Sequence, residues 1–402
     1  AAGNSRSVTG SVAIDTVVTN FATSTNPVEG DNVVNAAEAS DGVIMTGTVE
    51  PGSTVNLTVN GTTVAATVDG AGNWTAGIPA TALPTGEQNV TVTVNATDAA
   101  GNTATVSDDF DVDTLVSRLT TSATPVEGDD VVNAAEASDG VVLRGQVEEG
   151  STVMVDFDGT QVAATVDAAG NWTANVPATA FRTGTYDASY TVYATDAAGN
   201  TDSITDAVAV DTDAPGGPTI ASYTRELSGY SAISVDDNGD DLSVYEVHTT
   251  TGQTNQVGGD GTDFMGDTIF GFTPTIPDGS HLVVEATDDA GNTSGTYLVL
   301  DDTTSSVVDL NNPKLSVHQI ENLDLQFAEE STLTIDEATI TALSSNSDTL
   351  TVHGGHDDQI TINGGTATGQ TQVIDGQTYD VYAVGGATLV VDDDIQISTP
   401  II

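Results

Sequence analysis

A seven-residue stretch, Thr-Asp-Ala-Ala-Gly-Asn-Thr, occupies residues 97–103 and returns 98 residues later at 195–201. A looser copy, with Asp289 in place of the first Ala, fills residues 287–293. Since a repeat of this length is a whole domain rather than one coil of a solenoid, we expect an array of similar domains. Residues 1–4 match 99–102, so residue 1 is expected to lie inside a further copy.

Within each repeat, short alternating segments are separated by Gly, Asn and Asp. Thr54–Val59 alternates between apolar and polar residues, Asn60-Gly61 is typical of a two-residue hairpin turn, and residues 64–68 supply the partner strand. The only helix-friendly patch, residues 36–39, is expected to form no more than one turn. About seven strands in a repeat predict an immunoglobulin-like β-sandwich.

The fold class is therefore all-β, with tandem immunoglobulin-like sandwiches in a linear rod and a separate β-rich C-terminal domain. In that last domain, residues 336–343 are expected to form a short helix and Gly385-Gly386 to turn a closing hairpin. The expected boundaries are 1–15 for the last strand of a preceding repeat, 16–113 and 114–211 for two close repeats, 212–302 for a diverged repeat, and 303–402 for the C-terminal domain.

The charge balance restricts the partners. The sequence has 59 Asp and Glu against 6 Lys and Arg, a net charge of −53, so nucleic acid and anionic membrane surfaces are excluded as partners. No cysteine is present, which excludes disulfides, and no apolar run is long enough to span a bilayer. Asp-rich turns favour hard cations with oxygen ligands, and calcium is the cofactor this composition predicts.

The candidate calcium sites lie at the junctions between repeats, where the last Asp of one repeat meets the turn acids of its neighbours. The alternative is that Asp and Asn only form Asx turns and hairpin ends. The candidate ligands are Asp15, Asp31, Glu38, Asp98, Asp113, Asp129, Glu136, Asp196, Asp211, Asp236, Asn238, Asp240 and Asp288.

Three further motifs carry weaker signals. Residues 236–240 resemble a fragment of a calcium loop without the acidic closure of an EF-hand, and a plain hairpin turn is the alternative. His353 and His356 lie three apart in a Gly-rich turn, which favours a solvated loop over a metal site. Trp74 and Trp172 occupy the same repeat position and are expected in the core, with a sugar-stacking platform as the alternative.

The motif Gly-Asp-x-Val-Val-Asn-Ala-Ala-Glu-Ala, at 30–39 and 128–137, resembles the bacterial immunoglobulin-like repeats of giant calcium-dependent adhesins exported by type I secretion (RTX-type). The Gly-Asn-Trp-Thr turn and the Asp-Ala-Ala-Gly-Asn ending belong to the same pattern. The C-terminal sequences at 320–325 and 379–382 resemble segments near the calcium-binding repeats of those proteins. Those repeats have the pattern Gly-Gly-x-Gly-x-Asp, which Gly354–Asp358 matches only in part. The resemblance implies extracellular stalks on the bacterial cell surface, often stiffened by calcium.

We therefore expect a structural stalk or adhesion segment of a secreted surface protein that supports cell adhesion or biofilm formation, and not an enzyme. Its partners would be neighbouring repeats, other copies of itself, and surface glycans or proteins. A first alternative is a filament or lattice subunit assembled by strand addition through residues 1–15. A second is a calcium-dependent carbohydrate-binding module.

Overall fold

The computed structural model describes residues 3–236, 238–248, 251–344 and 347–399, without the side chains of 302–305. Its contacts divide into two compact units. Unit 1 comprises Ala1–Val126, Val142–Val176 and Ala188–Ala207, and unit 2 comprises Glu127–Val141, Pro177–Asp187 and Val208–Ile402. Repeats 1, 2 and 3 denote the expected ranges 16–113, 114–211 and 212–302, and the C-terminal segment denotes 303–402.

Repeat 1 lies in unit 1 and is built almost entirely of strands. In chain order its elements are β1 (Ala22–Thr23), the 3-10 turn η1 (Val28–Gly30), β2 (Val33–Val34), α1 (Ala36–Asp41), β3 (Val43–Thr48), β4 (Thr54–Val59), β5 (Thr62–Ala65), β6 (Thr67–Val68), β7 (Asn73–Ile78), η2 (Ala80–Ala82), β8 (Glu87–Thr97) and β9 (Thr103–Asp113).

Two sheets form the sandwich of repeat 1. One has the order β1-β3-β7-β6 and the other the order β2-β9-β8-β4-β5, with β2 parallel to β9 and the other pairs antiparallel. The apolar positions of the alternating strands face inward, where Trp74, Phe110 and Leu57 are fully buried. This confirms the core interpretation of Trp74 and the immunoglobulin-like class.

Local sequence explains the turns. Asn60 and Gly61 both have positive φ, which is the geometry that the two-residue hairpin between β4 and β5 requires. Helix α1 is longer than the single turn expected, because Asn35 and Glu38 form a capping box at its start. Gly42, at φ 79°, ends it.

Repeat 2 has the same strands and helix in the same order, without a counterpart of η1. They are β10 (Thr120–Thr121), β11 (Val131–Val132), α2 (Ala134–Asp139), β12 (Val141–Gln146), β13 (Thr152–Phe157), β14 (Thr160–Ala163), β15 (Thr165–Val166), β16 (Asn171–Val176), η3 (Ala178–Ala180), β17 (Thr185–Thr195) and β18 (Thr201–Asp211). Within unit 1, β13 pairs with β14 and β17, and β15 pairs with β16. Within unit 2, β11 pairs in parallel with β18, as β2 does with β9.

Repeat 3 is a diverged sandwich in unit 2 with a core around Tyr230, Phe270 and Leu282. Its strands are β19 (Ile220–Glu226), β20 (Gly229–Asp236), β21 (Asp241–Val247), β22 (Thr254–Val257), β23 (Thr262–Phe264), β24 (Asp267–Ile276), β25 (Ser280–Thr287) and β26 (Thr293–Val307). The loop after Asp236 joins β20 and β21, which belong to different sheets, so it is a crossover and not the hairpin turn considered as an alternative.

The C-terminal segment is built on parallel strands, a topology that the sequence did not predict. Strand β26 runs past residue 302 and pairs in parallel with the next strands. The elements are η4 (Leu315–His318), β27 (Ile320–Asp324), β28 (Ala328–Ile335), α3 (Glu337–Leu343), β29 (Thr349–His353), β30 (Gln359–Ile362), β31 (Gly365–Ile374), β32 (Gln377–Val384), β33 (Ala387–Asp392) and β34 (Gln396–Ser398).

Two parallel ladders stack in this segment, β26-β27-β29-β33 on one side and β26-β28-β30-β34 on the other. Leu323, Val352 and Val391 are fully buried between them. The expected helix is α3, with Asp336 as its N-cap, and the expected hairpin is β32–β33, in which Val384 pairs with Ala387. Both expectations are confirmed.

Residues 3–15 form no strand in the structure, and Val8, Val12 and Ile14 are exposed. Their expected role as the last strand of a preceding repeat stays a prediction, and residues 1 and 2 lie outside the described part. Within the described ranges, none of the helices combines the length and the apolar character needed to cross a membrane.

The close packing of Trp74 on Gly47 can be tested by substitution. The two residues pair across β3 and β7, and a methyl group on Gly47 would overlap both the Trp74 ring and the backbone oxygen of Ala22. We expect Gly47→Ala to lower the free energy of unfolding of repeat 1 by about 1–3 kcal/mol because the ring and backbone must shift. Denaturant-dependent hydrogen exchange of the β7 amides measures this.

Gly77→Ala is the matched control. Gly77 lies on β7, and a methyl group there has no atom within 4 Å. Equal destabilisation by both variants would contradict the packing argument.

Candidate metal centre at the repeat junctions

The turn between β8 and β9 is held by one aspartate. The Asp98 carboxylate accepts hydrogen bonds from the backbone N–H of Asn102 at 2.8 Å and from its side-chain amide at 2.7 Å. The Asp196–Asn200 and Asp288–Asn292 pairs repeat both bonds at distances of 2.7–2.9 Å. The repeated motif of the sequence is therefore an Asx-type turn that fixes the direction of the Asn side chain.

The Asn side chain reaches the end of the preceding repeat. At the junction of repeats 1 and 2, Asn200 Nδ2 donates to the backbone oxygen of Asp113 at 2.9 Å. Its Oδ1 accepts from the backbone N–H of Ala36, the first residue of α1, at 2.8 Å. Asn35 Nδ2 donates in return to the backbone oxygen of Ala198 at 3.1 Å. Three hydrogen bonds thus join the two repeats around one buried asparagine, an arrangement we call the asparagine clasp.

The asparagine clasp recurs at the junction of repeats 2 and 3. Asn292 Nδ2 donates to the backbone oxygen of Asp211 at 3.0 Å, and its Oδ1 accepts from the Ala134 N–H at 2.8 Å. Ahead of repeat 1, Asn102 Nδ2 lies 3.4 Å from a carboxylate oxygen of Asp15. Because each clasp seats the last Asp of one repeat beside the turn Asp of the next, it also brings carboxylates together.

Two groups of three carboxylates form in this way. Asp15, Glu50 and Asp98 offer oxygens that all lie within 4.8 Å of one another, and so do Asp113, Glu148 and Asp196. Each group takes its members from the end of one repeat, the turn after β3 or β12, and the Asx turn. The geometry thus concentrates oxygen ligands of the kind that hard cations prefer.

The glutamates of these groups are fixed by the linker that follows each repeat end. Glu50 accepts from the backbone N–H and the hydroxyl of Thr19 at 3.1 and 2.6 Å. Glu148 accepts from the backbone N–H of Ser117 at 2.7 Å. The carboxylates are therefore held close to one another before any cation binds.

Burial and the closeness of other acids shift the pKa values at these junctions. Burial raises the pKa of Asp113, and the nearby charges of Asp196, Glu148 and Glu87 raise it further. Burial also acts to raise the pKa of Asp98, but the hydrogen bonds from Asn102 outweigh it and lower the pKa. The hydrogen bonds of the Asx turn thus favour the charged form of Asp98, whereas burial and neighbouring charges disfavour the charged form of Asp113 at the next junction.

At the junction of repeats 2 and 3, which is the third junction along the chain, an aspartate lies where the other junctions have Glu50 or Glu148. The crossover loop between β20 and β21 occupies the position of the β3–β4 turn and carries Asp240. Burial raises the pKa of Asp240, the Asn238 side chain opposes this, and Asp288 and Asp289 raise it. Asp236 instead faces Asp267, whose charge adds to the effect of burial in raising its pKa. Asp237 lies outside the described residues.

The structure separates the expected ligands into two sets. It brings Asp15 to Asp98 and Asp113 to Asp196, and it seats Asp211 beside the Asp288 turn. Four of the remaining seven accept from local backbone N–H groups instead: Asp31 from Val33, Asp129 from Val131, and Glu38 and Glu136 within the capping boxes of α1 and α2. The last three, Asp236, Asn238 and Asp240, belong to the end of β20 and the loop that follows it. Metal binding by any of the thirteen stays a prediction.

Sequence reasoning missed Glu50 and Glu148. The signal was present, because both residues follow a buried valine and precede a Gly-Ser turn at the same repeat offset. It also missed the clustered carboxylates of Asp392, Asp393 and Asp394. The solvated loop expected at His353 is wrong for this residue, because His353 ends strand β29 and is hydrogen-bonded to the Tyr379 hydroxyl at 2.7 Å.

Comparison with known families identifies the repeats. Two family models, each described as a bacterial Ig-like domain, match residues 12–114 and 139–212. A bacterial immunoglobulin-like domain from the M. primoryensis ice-binding adhesin is 33% identical over 93% of its chain and 23% of this one, with a TM-score of 0.19. The chain belongs to the bacterial Ig-like domain family.

Two longer solved structures are similar to these Ig-like repeats. A 1.5-MDa bacterial ice-binding adhesin is 27% identical over 68% of this chain and 93% of its own, with a TM-score of 0.43. A Ca2+-stabilised adhesin of an Antarctic bacterium is 25% identical over 94% of this chain and 92% of its own, with a TM-score of 0.40. The comparison with curated proteins gives no match.

If the asparagine clasp holds the Ig-like repeats together, removing Asn200 should reduce the protection of one backbone amide from hydrogen exchange. We expect Asn200→Ala to speed the exchange of the Ala36 amide by about tenfold or more, because its acceptor is removed while the turn carboxylate of Asp196 stays. Amide hydrogen exchange followed by NMR measures this one site.

Asn171→Ala is the matched control in the same repeat. Asn171 bonds to Asp167 as Asn200 does to Asp196, but on an exposed turn. An Ala36 amide that responds equally to the two variants, or to neither, would show that the asparagine clasp does not hold the junction.

Proposed function

We propose that this chain is a stalk segment of a bacterial surface adhesin, in which calcium completes the junctions between Ig-like repeats. The observation that carries the proposal is that the junction contacts repeat. The asparagine clasp forms between repeats 1 and 2 and, with two of its three bonds, between repeats 2 and 3, while a group of three carboxylates forms ahead of repeat 1 and between repeats 1 and 2. A protein that functions through a single site does not require the same contact between successive domains. A stalk that holds successive domains in place does require such a repeated contact.

The asparagine clasp supports a mechanical role through its position. Asn200 and Asn292 are 7% and 4% exposed, so their hydrogen bonds to the preceding repeat are shielded from water. Such bonds are stronger in a low dielectric, and a buried amide left without its partners costs more than an exposed one. Separating the two contacting segments would break the hydrogen bonds of a clasp together, which favours a fixed contact between neighbouring repeats.

The carboxylate groups fit a calcium ion in their chemistry. Calcium takes six to eight oxygen ligands, and three carboxylates supply up to six oxygens, with carbonyls or water for the rest. The residues that would hold it are Asp15, Glu50 and Asp98 in one group and Asp113, Glu148 and Asp196 in the other. Bound calcium would supply the positive charge that this strongly acidic sequence lacks.

Calcium would thereby replace repulsion among the three carboxylates with a shared attraction to one ion. Without a cation, the like charges that raise the pKa of Asp113 oppose the close approach of the repeat end and the turn. With a cation, the same three carboxylates become a cross-link between the last strand of one repeat, the turn after β12 and the Asx turn. The asparagine clasp and the ion would act on the same segments, so each is expected to strengthen the other.

The third junction is expected to use a related set, with Asp211, Asp240 and Asp288 as the candidate ligands. This assigns a role to the crossover loop that the Ig-like fold alone does not require. Binding of calcium would also link folding to the calcium-rich exterior of the cell, where we place the protein. Support of cell adhesion and biofilm formation follows from that location and from the stalk role.

The calcium dependence of stability tests whether Glu148 is a calcium ligand or only a solvated surface acid. We expect calcium to raise the melting temperature of the wild-type chain, with about 2.7 kcal/mol of stabilisation when its concentration is a hundred times the dissociation constant. Glu148→Gln should lower the number of calcium ions bound and reduce the calcium-dependent shift. Isothermal titration and calorimetric melts, with and without chelator, measure the two effects.

The neighbouring exposed residue gives the control, since Glu149→Gln removes the same charge one position along the chain. If Glu148→Gln and Glu149→Gln bind the same number of ions as the wild type, the carboxylate group is solvated surface and calcium does not complete the junction.

A second candidate function is assembly by strand addition, favoured by the exposed alternation of residues 3–15. Val8, Val12 and Ile14 are 84–85% exposed, although the equivalent Phe110 and Val112 are buried in β9. A neighbouring copy could bury these side chains by pairing with the segment. We expect removal of residues 1–15 to abolish concentration-dependent association in analytical ultracentrifugation, and an unchanged association state would exclude this assembly.

A further inference from the structure

A cavity of about 320 Å³ lies in unit 2, outside the junctions. Its floor is the outer face of the sheet formed by β26, β27 and β29, which presents Thr296, Asn322 and Thr351. Its walls are the loop before β19 and the β31–β32 turn around Asp375. The stalk role makes no use of this cavity.

Parallel register places a column of titratable groups along this face. Asp324 at the end of β27 pairs with His353 at the end of β29. Val352 pairs with Val391, so His353 is followed in the ladder by Asp392 at the end of β33. Adjacent strands are about 4.8 Å apart, so these three side chains stack on one face of the sheet.

Asp324 is the most constrained member of the column. It is only 6% exposed, and one oxygen accepts from the Gln326 N–H at 2.9 Å. The other oxygen has no hydrogen-bond donor among the described residues, although the side chain lies on the cavity wall. Burial raises the pKa of Asp324 to about 7, with the Gln326 bond opposing and the Asp358 charge adding to it. The second oxygen opens onto the cavity and is not sealed in the core, so a ligand hydroxyl can reach it.

His353 offers a second group to the cavity. Its Nδ1 is paired with the Tyr379 hydroxyl at 2.7 Å, and its Nε2 bonds to no described residue. Burial lowers the pKa of His353 despite the charges of Asp392 and Asp375, so the ring is neutral at pH 7. Burial also raises the pKa of Tyr379 to about 12, which keeps its hydroxyl protonated. The Thr351 hydroxyl and the Asp375 carboxylate likewise have no described hydrogen-bond partner.

The chemistry of these groups restricts the ligand. The residues that line the cavity include two acids, Asp324 and Asp375, and no Lys or Arg, so no cationic group there would pair with an anion. The groups of three metal-ligating side chains among the described residues include neither Asp324, His353 nor Asp375, so these groups do not converge on one cation. The free acceptors and donors are instead spread around the walls, as the recognition of several hydroxyl groups requires.

We propose that this cavity binds a neutral sugar residue through Asp324, His353, Thr351 and Asp375. A volume of about 320 Å³ lies at the lower end of the range for small-molecule sites, which suits a single sugar unit rather than a long chain. Carboxylate oxygens accept from sugar hydroxyls, and Ile374 and Tyr379 provide apolar surface beside them. This activity is independent of calcium and of the stalk role, since every contributing residue belongs to unit 2 away from the acid groups of the junctions.

The test is a titration of the full chain with the methyl glycosides of glucose, galactose, mannose and N-acetylglucosamine, followed by saturation-transfer NMR. We expect at least one of them to bind in chelator. Thr351→Val, which removes only a hydroxyl, and Asp375→Asn, which keeps a side chain tolerant of the positive φ at this turn, should each weaken binding by about tenfold.

Asp380→Asn is the matched control, since Asp380 is exposed on β32 of the same hairpin and does not line the cavity. Unchanged binding by this variant, alongside the losses above, would support the assignment. The proposal is overturned if none of the four glycosides binds, or if Thr351→Val and Asp375→Asn bind as the wild type does. It is also overturned if methylammonium or calcium displaces the sugar, because the site would then recognise a cation.

Discussion

One side-chain amide determines how successive repeats meet. Asn200 is oriented by the carboxylate of its own turn, and it then donates to the end of the preceding repeat and accepts from the first turn of that repeat's helix. The bonds of Asn200 hold the end of repeat 1 against the Asx turn of repeat 2, and the bond from Ser117 to Glu148 supports the same contact. The raised pKa of Asp113, caused by burial and neighbouring charges, therefore arises at a contact that neutral hydrogen-bond donors hold.

This dependence explains why so acidic a chain keeps its acids at points of contact. Like charges at a domain boundary favour separation, and in a protein with a net charge of −53 the repulsion cannot be relieved by the six basic residues. The asparagine clasp holds the boundary with uncharged bonds, so the carboxylates can approach without having to supply the attraction. In the proposed stalk, calcium then adds strength to a contact whose geometry already exists.

Much of the Ig-like fold was predictable because its signals are local. Alternation and the Asn60-Gly61 turn are each read within a few residues, and the buried Trp74 and Trp172 follow from the same pattern. The site was only partly predictable. The spacing of Asn35 and Glu38 marks a helix cap in the sequence, whereas the partner of Glu50 is Thr19, which lies 31 residues away, so its place in the carboxylate group depends on the path of the linker.

The C-terminal segment shows the stronger limit on sequence reasoning. Its parallel neighbours β27, β29 and β33 are separated by a helix and a hairpin, so the alignment of Asp324 with His353 has no local signature. The Ig-like repeats place their acids in turns, where water or a cation can reach them. This segment instead places titratable groups on a covered sheet face, which opposes folding unless those groups find partners. That Asp324 and His353 each retain an unused polar atom on the wall of one cavity is the physical reason to look for a ligand there.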